Sequence, residues 1–126
     1  MNNSETEIDF EYSANSPAYV WAVNWLNTNT RRDPTSSMET ATAVPWPVAT
    51  SYPLHTYTFV WAPGVITFYF DGVQVAQHTT DVPSAPAYFM INHWGTNSST
   101  TGWGGPATPS VNRYFYVKSV SYTPPK

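Results

Sequence analysis

A chain of 126 residues with a formal charge of −3 suits a single domain, and five basic residues against eight acidic ones exclude a nucleic-acid binder that works through a basic patch. Charged residues make up only 10% and aromatics reach 17%, with 6 Trp and 9 Tyr, a balance that argues against intrinsic disorder. There is no cysteine, hence no disulfide framework. No apolar run is long enough for a membrane span, and residues 1–4 have neither the basic region nor the apolar core of a signal peptide.

The first element, residues 4–12, contains Glu7-Ile8-Asp9-Phe10-Glu11, three of the eight acids in five positions, with Glu5 just upstream. Strand side chains alternate between faces, so Glu7, Asp9 and Glu11 are expected on one face and Ile8 and Phe10 on the other. A second strand is expected over 19–26, with Trp21, Val23 and Trp25 on one face and Val20, Ala22, Asn24 and Leu26 on the other. The polar run 27–37 reads as a loop, and Arg31-Arg32-Asp33-Pro34 within it as a solvated turn. A short strand follows over 38–44, ended by Pro45-Trp46-Pro47. The clearest pattern is a three-stranded meander. Strands at 56–61 and 65–70 are joined by Ala62-Pro63-Gly64, with Pro and Gly in the order of a type II turn. Asp71-Gly72 then signals a hairpin into 73–78. Pro83-Ser84-Ala85-Pro86 breaks the chain before a strand over 87–94, where Tyr88, Met90, Asn92 and Trp94 share a face. Residues 95–112 read as a Gly/Ser/Thr-rich loop containing Trp103-Gly104-Gly105, and 114–122 as the closing strand. No stretch has helical periodicity and no repeat is present. Many β-branched and aromatic residues between Pro and Gly punctuation predict an all-β sandwich or barrel.

A row of carboxylates on a strand has two readings. The plain one is a solvated face. The chemical one is glycoside cleavage, which needs one carboxylate as nucleophile or base and one carboxylic acid to protonate the leaving oxygen. Neighbouring like charges push pKa values apart, so one group stays protonated beside an ionised one. Excess Trp and Tyr suit stacking on sugar rings, and suit a core equally. The three His show no metal-ligand spacing.

Taken in order, four stretches resemble glycoside hydrolase family 16, the group of lichenases, laminarinases and xyloglucan-modifying enzymes. They are the acidic motif 7–11; the run from His55-Thr56-Tyr57 through Trp61-Ala62-Pro63-Gly64 to Tyr69-Phe70-Asp71-Gly72; Pro83-Ser84-Ala85-Pro86 leading to Met90-Ile91-Asn92-His93-Trp94; and Tyr116-Val117-Lys118-Ser119-Val120. The resemblance implies a concanavalin A-like jelly-roll sandwich of two antiparallel sheets, with the acidic strand across the floor of a cleft in the concave sheet. It implies Glu7 as nucleophile, Glu11 as general acid/base and Asp9 as the carboxylate between them; from its place between two acids, Asp9 is expected to raise the pKa of Glu11 and to orient Glu7. One residue between successive acids is similar to the lichenase and xyloglucan branches.

Asn92 and Trp94 resemble cleft residues of the family, Trp103 its loop tryptophan, and Trp25 a position that often faces the sugar; core packing is the alternative for each Trp. Trp61 is expected in the core, His93 as a packed side chain, and His55 bonded to backbone. The family's structural calcium often takes an Asp from the last strand; Phe115 stands at the matching position, so neither metal nor cofactor is expected. In the family the acidic strand lies near the middle of the domain, whereas here it begins at Glu7. Residues 1–126 therefore read as a partial catalytic domain, from its acidic strand to its C-terminus and without its N-terminal strands. Exposed sheet edges would then invite self-association. The expected activity is that of a retaining endo-β-glucanase-type hydrolase, acting on a β-linked polysaccharide through a covalent intermediate. The alternative is a non-catalytic, lectin-like carbohydrate-binding module or an inactive fragment. The resemblance also implies secretion. Geometry sets a condition: four residues of strand separate Glu7 and Glu11 by about 13 Å at the backbone. A retaining pair needs carboxyls roughly 5–5.5 Å apart, so the two side chains must lean inward over Asp9.

Overall fold

Six strands account for the regular structure in the computed structural model. It describes residues 6–13, 15, 19–27, 37–45, 54–95, 105–106, 110 and 112–124, with backbone alone at 25–27 and 37–38. The strands are β1 (Glu7–Tyr12), β2 (Tyr19–Asn27), β3 (Ser37–Pro45), β4 (Tyr57–Ala62), β5 (Val65–Phe70) and β6 (Val73–His78). They form two three-stranded sheets, in the orders β1-β2-β3 and β4-β5-β6. Every neighbouring pair is antiparallel, and no helix occurs among the described residues. This is the all-β, two-sheet architecture expected from the sequence.

Turn chemistry fixes the second sheet. Gly64 sits at φ 74° directly after Pro63, the backbone that a type II turn requires. At the next turn both Asp71 (φ 49°) and Gly72 (φ 81°) are left-handed, the type I′ signature that matches the twist of a hairpin. The Asp71 carboxylate closes this turn. It accepts from the Thr56 backbone N–H at 2.8 Å and bonds His55 Nδ1 at 2.7 Å, while the Asp71 N–H donates to Thr56 O at 2.9 Å. These bonds, the Thr56 N–H first and His55 second, hold the Asp71 carboxyl below its usual range. His55 thus bonds a carboxylate, and its ring lies 4.8 Å from that of Phe70.

The sheets meet through one face of each. Val20 and Ala22 of β2 are buried to 1% and 0% exposure, and Val44 of β3 joins them. From the other sheet, Ile66, Phe68 and Ala76 complete the cluster, with Ile8, Phe10, Trp61, Val75 and Val82 packed around it. Phe10 meets Phe68 and Tyr57 edge-on, at centroid distances of 5.4 and 5.2 Å. Trp61 lies at the core margin, as expected, and its Nε1–H donates to Pro83 O at 2.8 Å. In β6 the ladder slips between Phe68 and Tyr69: Tyr69 pairs with Gln74, but Phe68 pairs with Ala76, leaving Val75 as the bulged residue.

A polar seam crosses this apolar layer. Asn24 is wholly buried on the core face of β2, and its Nδ2 donates to Thr80 O at 3.1 Å and Asp81 O at 2.8 Å. Asn24 Oδ1 must then be an acceptor, so His78 Nδ1 carries the hydrogen in their 2.6 Å contact. In neutral His78 the Nε2 accepts from the Thr42 hydroxyl at 2.8 Å. Burial pushes the His78 pKa down from the ordinary 6.5. Thr40 Oγ1 adds contacts of 3.1 Å each to Thr80 Oγ1 and Asp81 Oδ2. Both strands of the first sheet that carry the seam are thereby tied to the segment following β6.

Two strands expected from the sequence do not form. Residues 86–95 and 112–124 pair with no ladder among the described residues. A strand makes no hydrogen bonds within itself, so alternation and β-branched residues mark a capacity that only a neighbouring strand realises. The side chains expected to share a face accordingly stand exposed, Tyr88 at 96% and Trp94 at 79%. His93, expected to be packed, is exposed with its ring stacked on Phe115 at 6.0 Å. The expected loop and turn at 28–36 lie outside the described residues.

Two outcomes follow from the seam. Asn24→Ala takes the donor from two part-buried carbonyls and strands the buried His78 N–H, and is expected to cost about 2 kcal/mol, read as a lower urea midpoint at unchanged m-value. Because the folded pKa of His78 is lowered, its contribution is full above the ordinary 6.5 and is lost as pH falls through the folded value. His78→Gln should flatten this acid-side loss in a series of urea melts below pH 6.5, even if the variant is less stable throughout.

Candidate active site

The acids lie on β1, an edge strand of the first sheet, and its register with β2 defines their surroundings. Glu7 pairs with Trp25, Asp9 with Val23 and Glu11 with Trp21. Directly opposed residues share a face, with Cβ atoms about 5 Å apart. The alternate residues Ile8 and Phe10 face the core layer, opposite Asn24 and Ala22. The carboxylate row is therefore a separate face, backed by two tryptophan positions around a valine.

Val23 is 2% exposed although it lies on the acidic face. It is the cross-strand partner of Asp9, whose carboxyl is itself largely withdrawn from water. Burial is the first cause of a rise in the Asp9 pKa to about 7; a hydrogen bond with Glu7 and the charges of Glu7 and Glu11 add to it. Asp9 Oδ2 is buried with no hydrogen-bond partner, which a neutral carboxyl tolerates far better than an ionised one. A bond between two carboxyl groups needs one proton. Asp9 holds it and donates to Glu7. The middle residue of the motif thus keeps its proton to near neutral pH and is hydrogen-bonded to Glu7.

The other expected site residues are placed as follows. Trp25, on β2, is the register partner of Glu7 on β1. Asn92 and Trp94 are exposed on the unpaired segment 86–95, and the structure does not bring them into the sheet that carries the acids. Trp103 lies outside the described residues. Trp21 and Tyr19 are aromatic neighbours on the acidic face that the sequence reading did not single out, although the alternation that marks Trp25 marks them as well. Among the described residues no group of three or more His, Asp or Glu is disposed to hold a metal ion.

The model of glycosyl hydrolases family 16 matches residues 1–112. The chain belongs to that family. Similar proteins include a "Beta-glucanase" of Paenibacillus polymyxa, 41% identical over 70 residues, which are 53% of this chain and 29% of that protein. A "Beta-glucanase" of Paenibacillus macerans is 39% identical over 70 residues, with the same coverage of each chain. One from Acetivibrio thermocellus is 38% identical over 71 residues, 54% of this chain and 21% of that protein. The chain thus spans under a third of the length of these relatives. No solved structure gives a significant match.

The raised Asp9 pKa has a signed consequence for stability. Folding holds a proton that the unfolded chain releases near 3.8, so the Asp9 contribution is fullest below that value and is lost as pH rises toward about 7. Asp9→Asn keeps the shape without the titration. Its melting temperature relative to wild type is expected to climb between pH 4 and 7 and then level off, by a few degrees in all. A difference that stays constant across that range would refute the assignment of the proton to Asp9.

Proposed function

We propose that this chain carries the catalytic strand of a retaining endo-β-glucanase-type glycoside hydrolase acting on a β-linked polysaccharide. The observation that supports it is the carboxyl row of β1. Its middle member keeps a proton to near neutral pH and donates it to Glu7, on a face separated from the core. A merely solvated face has no reason to bury Asp9 against Val23. Membership of the family and the β-glucanase names of the relatives agree with this reading.

In the proposed reaction Glu11 protonates the glycosidic oxygen while the Glu7 carboxylate attacks the anomeric carbon. The carbon–oxygen bond to the leaving sugar breaks and an ester to Glu7 forms. Glu11, now ionised, takes a proton from water or from a sugar hydroxyl, whose oxygen attacks the same carbon and expels Glu7. The Asp9 hydroxyl supports both steps. It holds Glu7 in place for attack, and it stabilises the carboxylate that leaves when the ester opens. The same intermediate serves hydrolysis and transfer.

Reducing-end release from a panel of β-glucans tests the proposal. Wild type should release ends from at least one of them, and Glu7→Gln should lower that rate by about a thousandfold or more. No release from any glucan, with oligosaccharide binding retained, would reject the hydrolase in favour of a carbohydrate-binding module.

A further inference from the structure

The acidic face does not end at the carboxylates. Along β2 it continues from Val23 to Trp21 and Tyr19, because Val20 and Ala22 are committed to the core side. Trp21 is opposite Glu11 and its ring is tilted against that of Tyr19, with centroids 6.3 Å apart and planes at 50°. Tyr19 is 41% exposed. On the far side, β3 sets Ala43 against Trp21, Ala41 against Val23 and Pro45 against Tyr19, all three exposed. A tryptophan that served only to pack would be expected to have a bulky cross-strand partner. On β3 the sheet gives Trp21 a small partner, the exposed Ala43, so no bulky β3 side chain stands directly opposite the Trp21–Tyr19 pair.

We propose that Trp21, braced by Tyr19, is a stacking platform for the sugar on the leaving-group side of the scissile bond. The ligand is a β-glucan oligosaccharide acting as leaving group or as acceptor. The inference rests on the hydrolase reading for its direction. Glu11 must reach the oxygen that joins the two sugars, so the residue about 5 Å across from it borders the leaving sugar. An indole face offers a flat apolar surface to the C–H side of a sugar ring. Trp25, placed opposite Glu7, occupies the other end of the carboxylate row, so the two tryptophan positions of β2 serve opposite sides of the bond.

Partition of the covalent intermediate tests this separately from catalysis. A β-oligoglucosyl fluoride donor, whose leaving group is a single atom, is supplied with a β-glucan oligosaccharide acceptor, and transfer product is compared with hydrolysis product. Water and acceptor both use Glu11 as base, so a residue that merely supports Glu11 lowers both products equally. Trp21→Ala is expected to lower the transfer-to-hydrolysis ratio about tenfold, and Trp21→Phe to restore most of it. An unchanged ratio overturns the proposal, whatever happens to the total rate. If wild type consumes no donor, the hydrolase reading fails, and the stacking role is decided by titrating the same oligosaccharide into Glu7→Gln and Glu7→Gln/Trp21→Ala. Binding about tenfold weaker in the double variant sustains it, and equal affinity overturns it.

Discussion

Register between β1 and β2 is the constraint on which both sides of the first sheet depend. A slip of one residue would turn Glu7, Asp9 and Glu11 into the layer now filled by Phe10, Ala22 and Phe68, where unpaired charge is not tolerated. Apolar alternation penalises that slip, but it discriminates less against a slip of two residues, which exchanges one apolar residue, Val20, for another, Ala22. Asn24 supplies the anchor. Its amide satisfies two carbonyls beyond β6 and receives the His78 N–H, and none of its neighbours on β2 has the groups to do so. The polar seam therefore fixes which residue of β2 stands at which depth, and through the pairing it fixes where the carboxylates point.

Much of this was legible in the sequence because it is local. Alternation over 7–11 and 20–24 separates the acidic face from the core. Pro63-Gly64 and Asp71-Gly72 announce turns that the backbone angles bear out. What the sequence could not show are relations between distant residues. Asn24 and His78 are 54 positions apart, and neither looks unusual in its own strand. Which of three carboxyls keeps a proton depends first on burial, which the folded sheet decides, and only then on the spacing of the acids. Segments 87–94 and 114–122 have strand composition, but composition does not provide a partner. The loop tryptophan Trp103 and the side chain of Trp25 lie outside the described residues.

The two displaced titrations oppose each other. Asp9 releases its proton late and His78 takes one up late, so the first lowers stability as pH rises toward about 7 while the second lowers it as pH falls below 6.5. Within the overlap the two slopes oppose each other, so the pair together is expected to give a flatter profile than either group alone. The origins of the two shifts differ. His78 is neutral because it serves the layer between the sheets. Asp9 keeps its proton because burial and the neighbouring acids disfavour its charge.

The bulge at Val75 does more than relieve twist. Counting back from the tight turn at Asp71-Gly72, an unbroken ladder would set Val75 opposite Phe68 and Gln77 opposite Ile66. The extra residue advances the count by one, so that Ala76 and His78 take those places. It works as a phase shift in the strand. Deleting one residue there would exchange the two faces of the last half of β6, presenting a flexible amide to Asn24 and turning the imidazole out to water. The alignment of the carboxylates in the first sheet thus depends, through a histidine in the second, on one surplus residue in a hairpin far from them in sequence.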